Sequence, residues 1–180
     1  MILPIVTVPQ KVLISKSKPV KSFGPNLQKL VADMSDTLIS CIDPIGVGLA
    51  APQVGVNLRV FISRPNPNNK IKIFINPEIL SIDPDHVVET PNPNEDQNEA
   101  FEGCLSIPRI WSPVSRPQKI TISWQDIKGK SHQKEFEGFD AVIIQHEVDH
   151  LDGILFTRRA SEQNAIVYEE KNKKLYEMKI

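Results

Sequence analysis

From Pro25 onward, apolar residues recur at three- and four-residue steps: Leu27, Leu30, Val31, Met34, Leu38 and Cys41. That spacing puts them on one face of a helix, so an N-terminal amphipathic helix with this face in the core is predicted. It ends at Asp43-Pro44, because a residue before proline is pushed out of the helical region. The period then changes. Residues 58–62 (LRVFI), 71–75 (IKIFI) and 119–124 (KITISW) are rich in β-branched and aromatic side chains and read as strands. The last alternates Ile120, Ile122 and Trp124 against Thr121 and Ser123, which predicts one buried face. Asp126 to Lys130 reads as a hairpin turn into a strand around residues 133–136.

Residues 83–100 (DPDHVVETPNPNEDQNEA) are acidic, rich in Pro and Asn and poor in large apolar residues. They read as an exposed loop with His86 solvated in it. A second helix runs from Phe139 and stops at Gly153, a favourable residue just past a helix end. Val142, Ile143, Ile144, Val148 and Leu151 make it apolar on most sides, so it is predicted to be buried. From Ser161 the tail is mostly charged, with a thin stripe of Ile166, Val167, Leu175 and Met178, and a C-terminal surface helix is predicted there. Together these elements predict an α+β fold. A single compact domain over residues 1–180 would pack a mixed or antiparallel sheet around the helix from Phe139, with an N-terminal amphipathic helix and a C-terminal helix.

Bulk composition narrows the class. The chain has 180 residues with 40% hydrophobic and 24% charged side chains, ordinary for one soluble domain. A net charge of -1 gives no sign of a DNA or membrane partner. Two cysteines, Cys41 and Cys104, are too few for a disulfide scaffold. The first residues carry no basic n-region and are broken by Pro4 and Pro9, unlike a signal peptide. No apolar run approaches the roughly 20 residues that span a bilayer. A cytoplasmic protein is expected.

The chemistry is concentrated in QHEVDHLDG, residues 145–153. His146 and His150 are one helical turn apart and project from one face. Both can reach one metal ion, with the Glu147 carboxylate between them to handle protons. A catalytic site of this kind needs a third protein ligand and an open position. Metalloproteases that place a third histidine three residues beyond the glycine are excluded, since Phe156 stands there. A tail glutamate, Glu169 or Glu170, would make a zinc metallopeptidase. The better candidate is upstream, in EGCLS: Cys104, on a short loop after Gly103, can approach the two imidazoles. A third segment, GVGLAAPQ (residues 46–53), has small residues that allow close backbone approach and an amide, Gln53, able to donate to a developing oxyanion. It lacks the spacing and Lys-Ser/Thr of a phosphate loop.

GVGLAAPQ, EGCLS and QHEVDHLDG, in that order, resemble peptide deformylase, and the likeness extends to the first helix and the strands. SIP after EGCL and the later SRPQKI resemble the family too, which makes Arg116 a neighbour of the site. The resemblance implies a hydrolase that removes the N-formyl group from the formyl-methionine of nascent polypeptides and releases formate. It implies Cys104, His146 and His150 as ligands of one Fe2+ per chain, with Ni2+, Co2+ or Zn2+ able to substitute. Glu147 would pass the proton of the attacking water to the leaving amine, and Gln53 with the Leu105 N–H would stabilise the oxyanion. The peptide would lie along Gly46, Val47 and Gly48, with Val142 and Ile143 as candidates for the methionine pocket. The tail mixes acids with KNKK and leaves ribosome docking open.

Overall fold

Helix α1 (Pro25–Ser40) forms where the apolar spacing predicts it, with Leu27, Val31, Met34 and Leu38 buried. Pro25 opens it, at a position where a missing N–H removes no helical bond. The structure, a computed structural model, describes residues 1–83 and 101–178. The segment predicted as an acidic loop, His86 included, lies outside the described residues except for Asp83.

The strands are, in chain order, β1 (Gly48–Ala50), β2 (Val60–Ser63), β3 (Lys72–Ile82), β4 (Phe101–Cys104), β5 (Ile107–Pro113), β6 (Lys119–Gln125), β7 (Ser131–Glu137), β8 (Tyr168–Lys171) and β9 (Lys174–Glu177). They form a five-stranded sheet in the order β1-β2-β3-β6-β7 and a four-stranded sheet in the order β4-β5-β8-β9. Every pairing between these strands is antiparallel, so of the two sheet types the sequence allowed, the antiparallel one holds. The fold is α+β.

The five-stranded sheet is covered on both faces, which explains why β2 is buried at every position. Val60 and Ile62 join Met34 and Leu38 of α1 in one core. Phe61, between them, joins Phe74 and the residues Ile144 and Leu151 of helix α2 (Gly138–Leu151) in a second core. Side chains alternate along a strand, so one apolar run serves two cores. A third core joins the second sheet to helix α3 (Phe156–Glu162), through Phe156, Ala160, Ile107, Val114 and Val167.

The predicted C-terminal helix from Ser161 is corrected by the structure. Helix α3 ends at Glu162, and the tail beyond it folds as the β8–β9 hairpin. Two local facts favour this outcome. Strand β8 adds to the edge of β5, pairing Glu169 with Ile110 and Tyr168 with Trp111. The connecting residues Asn172 and Lys173 have φ of 52° and 62°, the left-handed pair that a two-residue hairpin turn requires.

Gly153 closes α2 with φ of 72°, and a Cβ there would lie 2.7 Å from the Ile14 carbonyl carbon. Both backbone strain and collision oppose any side chain at this point. Gly153→Ala is expected to cost about 2 kcal/mol or more of stability, read as a lower urea midpoint; an unchanged midpoint would show that the Ile14 segment yields freely.

Candidate active site

Helix α2 carries His146 and His150 on one side, with ring centroids 4.9 Å apart. Cys104 comes from the second sheet, at the end of β4. The β4–β5 ladder shifts register between Gly103 and Cys104, and such a shift re-aims the side chain that follows. Cys104 Sγ lies 3.1 Å from His150 Nε2. One possible ligand atom from each of Cys104, His146 and His150 lies within 4.8 Å of the others. His146 Nδ1 is 2.9 Å from Glu102 Oε2. A proton shared on that side leaves the Nε2 lone pair for the cluster.

The charges favour a thiolate. Burial alone pushes the Cys104 thiol up, but the charge of His150 and the hydrogen bonds of both imidazoles outweigh it, and its pKa falls to about 5. Burial opposes charge on His146, yet hydrogen bonds to Cys104 and Glu102 hold it well above the usual imidazole range. Glu102 is also buried, but His146 and Arg116 bring its carboxyl down to about 2. A metal ion would displace the proton that His146 shares with Cys104, and a thiolate with two neutral imidazoles is a donor set suited to iron, zinc, nickel or cobalt, so these residues fit a metal ion.

Glu147 is buried beside the cluster, and burial raises its carboxyl to about 7. Its Oε2 has no hydrogen-bond partner among the described residues. Gly48 makes room for it: a Cβ on Gly48 would lie 2.2 Å from Glu147 Oε1. The Gln53 side chain is held at both ends. Its Oε1 accepts from the Ala50 N–H at 2.8 Å, and its Nε2 donates to Cys104 Sγ at 3.4 Å. These groups border a cavity of about 370 Å³, whose lining includes Gly46, Val47, Gly48, Leu105, Val142 and Ile143. Val142 is half-buried and Ile143 is buried. All the site residues predicted from sequence therefore meet in one place.

Arg116 is buried and spans the two segments that supply the cluster. Its Nε and Nη2 donate to the two Glu102 oxygens, and its Nη1 donates to Asp149 Oδ2 at 2.9 Å. Arg159 of α3 holds the same Asp149 through two further bonds. Sequence reasoning missed Glu102 and Asp149. The signal for them was their place beside the cluster residues, since a ligating histidine ordinarily has a carboxylate partner on its other nitrogen. The tail glutamates are engaged elsewhere: Glu169 pairs with Lys171, and Glu170 accepts from Arg109 and Trp111. The metallopeptidase alternative is not favoured.

Comparison with known proteins gives the family. The profile described as Polypeptide deformylase matches residues 2–165. The chain belongs to the polypeptide deformylase family. It is 40% identical over 162 residues to a peptide deformylase of Zymomonas mobilis, covering 86% of this chain and 84% of that one. It is 38% identical over 169 residues to one of Chlorobaculum parvum, covering 91% and 82%. The crystal structure of peptide deformylase from Thermotoga maritima matches with a TM-score of 0.75 at 38% identity, over 88% of this chain and 97% of that one. That of Legionella pneumophila matches with a TM-score of 0.76 at 36% identity, over 88% and 86%. Membership of the deformylase family makes the chain an enzyme, a hydrolase. Among the described residues no helix is long and apolar enough to cross a membrane.

Arg116 neutralises two buried carboxylates, and its loss would leave Glu102 only His146 and Asp149 only Arg159. Arg116→Ala is expected to destabilise the fold by about 3–5 kcal/mol, measured by denaturant unfolding; a loss below about 1 kcal/mol would show that His146 and Arg159 suffice to neutralise the two carboxylates.

Proposed function

We propose that the protein removes the formyl group from the N-terminal formyl-methionine of nascent polypeptides in the cytoplasm and releases formate. Residues 1–180 act as one catalytic domain in this reading, because both sheets and α2 contribute walls to the same cavity. The observation that carries the reading is the convergence of Cys104, His146 and His150 within 4.8 Å beside the buried Glu147, in a chain of this family.

Cys104, His146 and His150 would hold one metal ion, Fe2+ in the native enzyme, with Ni2+, Co2+ or Zn2+ able to replace it. The ion supplies polarisation of the formyl carbonyl and a lowered pKa for the attacking water. Glu147 takes that water's proton and returns it to the departing amine. A carboxyl near 7 suits both halves of this transfer, since a proton carrier works best when its pKa lies near the working pH.

Gln53 serves the oxyanion. Because its carbonyl is occupied by the Ala50 N–H, its NH2 end is the one turned towards the cluster, where it can donate to the tetrahedral oxygen together with the Leu105 N–H. The peptide runs along Gly46, Val47 and Gly48. Strand β1 is at the edge of its sheet, so an extended peptide can add to it through backbone hydrogen bonds. Val142 and Ile143 give the methionine side chain an apolar wall.

Two substitutions test this reading. Glu147→Ala should lower formate release from a formyl-Met tripeptide by about a hundredfold or more, with metal content retained; undiminished release would remove Glu147 from proton transfer. Cys104→Ala should purify with well under one metal ion per chain by elemental analysis, and full occupancy would exclude the thiolate as a ligand.

A further inference from the structure

Trp111 lines the cavity but has no part in the chemistry above. It stands opposite Gly103 in the β4–β5 ladder. Its ring covers that glycine so closely that a Cβ there would lie 2.6 Å from a ring carbon. Gly103 immediately precedes Cys104, so the indole is fixed beside the cluster. The ring's polar edge is tied down too. Nε1 donates to Glu170 Oε2 at 3.0 Å, and Arg109 Nη1 donates to the other Glu170 oxygen at 3.1 Å. Arg109 Nη2 donates in turn to Asp43 Oδ2 at 3.0 Å, in the turn that leads into Gly46. Arg109 holds φ of 64°, a left-handed conformation that persists outside glycine only where neighbouring contacts enforce it. One carboxylate of the C-terminal hairpin thus anchors a wall of the cavity, and Arg109 ties that wall to the segment leading into Gly46.

We infer that Trp111 is a specificity-determining residue for the side chain that follows the formyl-methionine, favouring apolar and above all aromatic ones, and that Glu170 is the positioning residue that holds its indole. The inference rests on the deformylase reading. An extended peptide along β1 turns successive side chains to opposite faces. If the methionine takes the wall made by Val142 and Ile143 of α2, the next side chain faces away from that helix. The second-sheet wall of the same cavity carries Trp111, a half-buried indole already ordered by its hydrogen bond. Phe139, also on the cavity, is 57% exposed and is not anchored in this way.

The experiment compares formyl-Met-Phe-Ser with formyl-Met-Ser-Ser as substrates of the metal-loaded enzyme. The wild type should prefer the phenylalanine peptide by about three- to tenfold in kcat/KM, the scale of one aromatic contact, with the difference residing in KM. The ratio should fall to near one in Trp111→Ala and in Glu170→Ala. It should recover in Glu170→Gln, whose amide oxygen still accepts from the indole. A wild-type ratio of one, or a ratio unchanged in Trp111→Ala, overturns the role of Trp111. A ratio lost as fully in Glu170→Gln as in Glu170→Ala overturns positioning through that hydrogen bond. Binding is read separately in Trp124→Phe protein, where Trp111 is the remaining one of the chain's two tryptophans. Its emission should respond to the phenylalanine peptide at lower concentration than to the serine peptide, and equal responses overturn the inference. If neither peptide yields formate, the deformylase reading fails, while the emission of Trp111 still decides whether the indole meets the second side chain.

Discussion

Arg116 joins the two segments on which the site depends. Cys104 ends a strand of the second sheet, whereas His146 and His150 ride on a helix packed against the first, and nothing local holds them in register. The guanidinium reaches Glu102, two residues before the cysteine, and Asp149, one residue before the second histidine. A buried arginine is expensive to desolvate, and here that cost is offset by two carboxylates, each of which also contacts a second cation or imidazole. The network orients as well as neutralises. Glu102 settles which nitrogen His146 turns to the cluster, and Arg159 ties the same network to α3.

Around that bridge, the site is shaped by close approach. Gly48 lets an edge strand lie directly on Glu147, so the carboxylate is shielded from water. That shielding is what lifts its pKa towards neutrality. Gln53 gains its orientation in the same economical way, from one backbone N–H three residues earlier. Catalysis by positioned donors depends on such prior ordering, because a donor that must first reorient loses much of its advantage.

The second sheet has a further role. Its β8–β9 hairpin sends Glu170 to Trp111 and Arg109, linking the last described strands to the cavity wall. Aromatic neighbours reinforce this side, since Phe101 meets Tyr168 edge to face at 5.4 Å. The tail is therefore integrated into the cavity-bearing part of the fold.

Much of this was legible in the chain. Helical spacing in α1 and α2, the alternating strand β6 and the His-Glu-His turn all express local periodicity, which needs no knowledge of what lies across the core. Cys104 and Gln53 were legible as candidates because their segments resemble a known family. Other features had no local signature. Strands β4 and β5 are short or irregular and become strands by pairing with each other. The tail's charged residues suggested a surface helix, yet an open edge on β5 made a hairpin the better use of its backbone hydrogen bonds. Glu102 and Asp149 stand beside cluster residues in the sequence, but nothing local shows that both meet the Arg116 guanidinium. What the sequence by itself determined was a set of candidate residues for the chemistry and the two helices α1 and α2, whose periodicity is local. Only the tertiary structure decided which charges are buried together and which ring forms the cavity wall, because both depend on contacts between distant segments.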